Sequence, residues 1–140
     1  MRRMRIAVAA LLTMGFAAGS VYAQAGAPGI KVNVPFRFKI GTTTYASGEY
    51  SFLSSGEKVW LQEVSGRNVA VSFTDKANGR VPERNGKIVF DCYTGECFLS
   101  QVWIAGQEAG RELAKSKREM QLARSGSGEQ IALLGTKPQS

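Results

Sequence analysis

Between Ile30 and Ile40 apolar and polar side chains alternate almost without error. Ile30, Val32, Val34, Phe36, Phe38 and Ile40 share one parity. Lys31, Asn33, Pro35, Arg37 and Lys39 share the other. Successive side chains of a strand point to opposite faces, so a period of two specifies a strand with one buried face. A face that is buried needs a second layer to cover it, which makes this a layered β-domain. Pro35 brings no N–H, so it marks an edge or a bulge.

The pattern continues along the chain. Gly41-Thr42-Thr43 reads as a turn, and Thr44 to Ser54 as a second strand, bent near Ser47-Gly48. Lys58 to Val64 and Val69 to Thr74 read as the third and fourth strands. Asp75 to Asn85 is polar, holds Asn78-Gly79 and Pro82, and reads as a long loop. Lys87 to Tyr93 and Glu96 to Ile104 form the fifth and sixth strands, and Gln130 to Leu134 a short final one. Turns this short join antiparallel neighbours, because parallel strands need long crossovers. The expected fold is mainly β: an antiparallel meander of six to seven strands, forming a small sandwich or partly closed barrel. Gly110 to Arg124 is rich in helix formers and is expected to be one C-terminal helix. With few apolar residues and roughly four turns, such a helix is marginal alone and must dock.

The first 23 residues read as a secretory signal peptide. Arg2, Arg3 and Arg5 precede an apolar run from Ile6 to Ala18, and small residues lead to Ala23. A span needs about 20 apolar residues, so the run is short for a permanent anchor. Cleavage after Ala23 of the 140-residue chain leaves 117 residues, enough for one domain. Taking the three signal arginines from the precursor's +7 leaves +4. The expected organisation is a signal peptide over 1–23, a disordered linker over 24–29, one β-rich domain over 30–134 including the helix 110–124, and a disordered tail over 135–140. The destination is periplasmic or extracellular, with no transmembrane span in the mature chain.

The chain has no histidine. That excludes hydrolases that need an imidazole base, and His-based zinc or haem sites. Two cysteines cannot supply a four-thiolate site. No phosphate-binding glycine loop or nucleophile elbow is present. No catalytic residue, cofactor site or metal site is assigned.

Cys92 and Cys97 flank Tyr93-Thr94-Gly95-Glu96. If Thr94-Gly95 is a two-residue hairpin loop, the cysteines face each other at a non-hydrogen-bonded pair, with Cα atoms about 4.5 Å apart. An oxidising compartment then favours a disulfide that staples the hairpin. The loop is short, so the staple is worth roughly 2 kcal/mol at best. The alternative is a redox pair, for which Cys-x-x-Cys at a helix start is the usual arrangement.

A candidate binding surface comprises Trp60 and Trp103 with Arg111, Lys115, Lys117 and Arg118. The tryptophans can stack on sugars or serve as core. The cations can meet an anionic polymer or form a solvated face with local ion pairs.

Four phrases carry a resemblance: Val34-Pro35-Phe36-Arg37-Phe38, Gly48-Glu49-Tyr50, Phe98 to Trp103, and Gly110 to Leu113 with Ser116 to Glu119. Together the chain resembles a group of small secreted proteins of unknown function from acidobacterial and related soil bacteria. It departs from their pattern at Cys92 and Cys97, which fits an added staple. The resemblance implies the extent of the unit and no activity.

Three roles remain open from the residues. The first is a noncatalytic exported or envelope-associated binding domain, whose partner is a glycan, a small apolar ligand or another envelope protein. The second is a structural or assembly role, docking through a strand edge or the basic helix. The third is a glycan-active enzyme built on carboxylates. Export argues against nucleic acid. A filled interior favours the assembly role, and an open cavity lined by Tyr and Trp favours ligand binding.

Overall fold

A computed structural model describes residues 28–81 and 84–136. The signal peptide, most of the linker, Pro82 and Glu83 of the long loop, and 137–140 of the tail lie outside the described residues.

The protein is mainly β with one C-terminal helix. Among the described residues the ten strands are β1 (Gly29–Val34), β2 (Phe38–Ile40), β3 (Thr43–Tyr45), β4 (Gly48–Ser55), β5 (Lys58–Glu63), β6 (Asn68–Ala77), β7 (Lys87–Tyr93), β8 (Glu96–Trp103), β9 (Gly110–Leu113) and β10 (Glu129–Leu134). The helix, α1, spans Lys117–Ser125. Hydrogen-bonded neighbours run β1-β4-β5-β6-β9-β8-β2-β3, and β7 joins β8 to β10. All pairs are antiparallel except β2 with β8, which meet in parallel at Lys39 and Phe98. The sheet does not close. An isolated bridge brings β1 to the end of β10, where Lys31 and Thr136 exchange two backbone hydrogen bonds of 2.7 and 3.0 Å.

The alternating run divides where Pro35 interrupts it. Ile30, Val32 and Val34 stay on the buried face of β1 and pair with β4. Phe38 begins β2, pairs with Tyr45 of β3, and is 1% exposed at the centre of the core. One expected strand is therefore two, serving different neighbours. The bend at Ser47-Gly48 likewise separates β3 from β4, and β9 is a strand where a helix was expected. These three account for the larger strand number.

Phe38, Phe52 and Phe90 fill the interior with Ile88 and Val34, each 1% exposed or less. Burying a side chain of this size contributes about 1.5–3 kcal/mol. Phe38 meets Phe90 edge-on at 5.4 Å and Tyr50 edge-on at 5.3 Å. A second, smaller cluster lies on the other face of β7 and β8, where Val89 and Ala77 pack on Trp103.

The expected helix over 110–124 is corrected at its N-terminal end. Gly110–Leu113 is β9, which pairs with Thr74–Ala77 of β6. The loop expected from Asp75 therefore begins later. Helix α1 starts only after Ser116, whose hydroxyl accepts from the Glu119 N–H at 3.1 Å. A serine in this position satisfies a donor that the first turn leaves free.

The β7–β8 hairpin has the expected register, with Tyr93 opposite Glu96 and Cys92 opposite Cys97. Cys92 and Cys97 form a disulfide, with Cα atoms 4.0 Å apart. Thr94 and Gly95 have φ of 43° and 87°, the left-handed pair of a type I′ turn. A β-branched residue is strained in that region. Thr94→Asn should raise stability by about 1 kcal/mol. Thermal unfolding of the oxidised protein checks this, and an unchanged or lower midpoint would refute it.

Candidate functional site

The candidate residues do not share one surface. Trp103 is 4% exposed, and its indole N–H donates to Gln101 Oε1 at 2.9 Å. Lys87 Nζ lies 5.5 Å from its ring centroid. This tryptophan is core and cannot stack on a ligand as it stands. Arg111 sits on β9 and donates from Nε to Thr74 Oγ1 at 2.8 Å and from Nη2 to the Thr74 carbonyl at 2.9 Å. It ties β9 to β6.

Two of the remaining cations clamp α1 and the segment before it onto the β7–β8 hairpin. Lys115 reaches Asp91 Oδ2 at 3.4 Å and Glu119 Oε2 at 3.6 Å. Arg118 pairs with Glu96, which Lys39 of β2 also contacts at 3.1 Å. Hydrogen bonds from Arg118 and then Lys39 hold the Glu96 carboxyl down to about 2. Lys117 is exposed on α1. Of the four candidate cations, Arg111, Lys115 and Arg118 are thus held by intrachain partners, and Lys117 is left facing solvent.

Glu119 is an acid that its sequence position did not single out. It is 4% exposed and accepts from the Tyr93 hydroxyl at 3.1 Å. Burial pushes its carboxyl above the ordinary value, against the pull of Lys115 and Tyr93. Ser116-Lys117-Arg118-Glu119 has capping-box spacing, which predicts a Glu side chain turned back to its own cap. Here that side chain turns inward to β7 instead. Asp91 and Glu119 do converge on Lys115, but Glu119 is buried between α1 and β7 and faces no cavity. Among the described residues, no three acidic or cysteine side chains gather as a metal would require.

Trp60 leads to a different surface. On β5, Val59 and Leu61 point into the core, so Lys58, Trp60 and Gln62 point outward. Pairing sets Leu53 of β4 beside Trp60, and Trp60 beside Val71 of β6. Lys58 stands beside Phe73. Val71 is 54% exposed and Phe73 is 71% exposed. Lys58 Nζ hovers between the two rings, 6.0 Å from Trp60 and 5.4 Å from Phe73. Its ammonium is drawn to the ring faces, while its stem adds apolar cover. The result is a continuous outward patch of Leu53, Trp60, Val71 and Phe73.

This patch runs to a strand edge. β5 occupies one side of β6 along Asn68–Phe73, and β9 takes the other side only from Thr74. On the β5 side, the Thr74 N–H donates to the carbonyl of Glu57, in the turn just before β5, at 2.7 Å. Backbone groups alternate sides along a strand, so those of Val71 and Phe73 point away from β5. Near the start of this edge, the Tyr45 hydroxyl donates to the Val69 carbonyl at 3.4 Å. The alternation of Val71 and Phe73 is visible in the sequence. Their outward orientation is not, because Ala70 and Ser72 give no signal for the inner face.

A cavity of about 650 Å³ opens between the start of β1, the turn before β7 and the segment after β8. Ile30, Asn85, Ile104 and Thr136 are among its walls, and among the described residues no aromatic side chain lines it. Among the described residues, no helix is long and apolar enough to cross a membrane. Comparison of the chain with protein-family models, with curated proteins and with solved structures finds no significant match.

Proposed function

We propose that this is an exported, noncatalytic protein that acts by docking to another protein of the cell envelope. The carrying observation is the outward patch of Trp60, Val71 and Phe73 at an incompletely paired edge of β6. Large apolar side chains in one exposed patch favour a protein interface. Phenylalanines occupy the interior, and the described walls of the 650 Å³ cavity hold no Tyr or Trp of the kind a ligand-binding barrel would present. The Cys92–Cys97 disulfide fits an oxidising compartment. The signal-peptide reading of 1–23 supports the same destination.

The test uses immobilised full-length chain, oxidised and folded, against detergent-solubilised envelope proteins. Val71→Ser and Phe73→Ser should abolish retention of the polypeptides that the wild type captures. Lys117→Ala, on a different element, should leave them bound. Equal retention by wild type and both β6 variants rejects this surface. Wild-type binding to protein-free cell-wall glycan that survives in those variants rejects the protein partner in favour of a glycan.

A further inference from the structure

We infer that the edge of β6 accepts a second copy of this chain, strand to strand and antiparallel, about a two-fold axis through Val71. The inference rests on the docking role above and names one partner for the same surface.

An edge whose backbone donors and acceptors point outward is a template for another strand. Four features favour this edge and this occupant. First, the segment Val69-Ala70-Val71-Ser72-Phe73-Thr74 has high β-propensity, no charge, no proline and no glycine. Second, antiparallel pairing about Val71 sets Val69 opposite Phe73, Ala70 opposite Ser72 and Val71 opposite its own copy. Aromatic and β-branched pairs of this kind are favourable, and no like charges oppose. Third, the charges beside the segment differ in sign, with Arg67, which pairs with Glu63 at 3.0 Å, before it and Asp75, followed by Lys76, after it. Antiparallel addition brings the Arg67 end of one copy toward the Asp75 end of the other, whereas parallel addition would bring like ends together. Fourth, the outward row Leu53–Trp60–Val71 would continue across the axis into the same row of the second copy. The pairing would join β1-β4-β5-β6 of both copies into one eight-stranded sheet with a doubled apolar face.

The other edges fit less well. β3 has only three residues. β10 carries Glu129 and Gln130, and its end is tied to β1 through Thr136. β9 limits the partner on β6 to the stretch ending at Phe73.

Sedimentation velocity of the full oxidised chain across a concentration series tests the inference. A monomer–dimer equilibrium is expected. Phe73→Lys should weaken it by about tenfold or more. Val71→Pro should do the same, because the N–H it removes points away from β5 and serves no strand pair among the described residues. Leu134→Lys on β10 should leave it unchanged. Far-UV circular dichroism shows whether each variant keeps its sheet, and the Lys variant carries the test if the proline variant does not. A wild type that stays monomeric at its highest soluble concentration overturns the inference, as does a dimer that survives both β6 substitutions. The two readings separate cleanly. Monomeric wild type with envelope capture lost in Val71→Ser and Phe73→Ser removes self-pairing and keeps docking. A dimer lost in the β6 variants with capture unaffected keeps self-pairing and removes docking.

Discussion

Gly110→Ala is expected to cost about 3 kcal/mol of folding stability, from overpacking against a buried ring. A Cβ at this position would lie 2.5, 2.6 and 2.7 Å from three ring carbons of Trp103. Carbon atoms at optimal contact stand about 3.5–4.0 Å apart. The indole cannot swing clear, because it is 4% exposed and its N–H is held by Gln101. β9 cannot back away either, because its ladder to β6 runs from Gly110–Ala77 to Leu113–Thr74. For a domain of about 100 residues such a loss lowers the thermal midpoint by about 10 °C or more. Gly126→Ala is the control, since a Cβ there meets nothing within 4 Å. Trp103→Leu in the Gly110→Ala background should recover part of the loss by making room. A midpoint for Gly110→Ala within a degree or two of wild type would show that the Trp103 packing is wrong.

The same glycine explains why a helix was expected where a strand forms. Gly110-Arg111-Glu112-Leu113 joins a run of helix formers, and nothing local distinguishes it from the helical residues after Ser116. Its strand state is imposed from outside, by a ten-residue β6 that offers Thr74–Ala77 and by an indole that admits only glycine. Such pairings are non-local, and propensity is a weak prior against them. The features that were legible have local causes. The Ile30–Val34 alternation places a buried face, and Thr94-Gly95 makes a turn that brings Cys92 opposite Cys97. The candidate surface was legible only in Trp60. Trp103 and the cations of the α1 region were chemically plausible, but the fold spends Trp103 on core and Arg111, Lys115 and Arg118 on internal partners. Val71 and Phe73 were legible as strand residues, whereas their exposure depends on which face of β6 turns outward, and the open backbone edge beside them on where β9 stops.

Tyr93→Phe should destabilise the protein by about 1.5–3 kcal/mol where Glu119 is ionised, and by about half of that near pH 4. The substitution leaves the ring in place and removes only the hydroxyl that donates to Glu119 at 3.1 Å. Glu119 is buried, and burial holds its carboxyl above the ordinary value of 4.5. The sign comes from that direction. Between 4.5 and the raised folded value, the native state keeps a proton that the unfolded chain gives up, so stability falls as pH rises through the window. Above the window Glu119 is ionised, and a hydrogen bond to a charged group is worth more than one to a neutral group. The Tyr93 hydroxyl therefore matters most where the carboxylate is charged, and losing it pushes the Glu119 carboxyl further up. Glu119→Gln should flatten the fall in stability above pH 4.5, since an amide accepts from Tyr93 without titrating. Glu96 works in the opposite sense. Arg118 and Lys39 depress it to about 2, so its support is complete above the ordinary value and disappears as pH falls toward 2. Urea unfolding of wild type, Tyr93→Phe and Glu119→Gln at pH 4 and pH 7 reads all of this. An equal cost for Tyr93→Phe at both values would mean that Glu119 does not change charge between them. A cost near zero at both would mean that α1 is not fastened to β7 through this hydrogen bond.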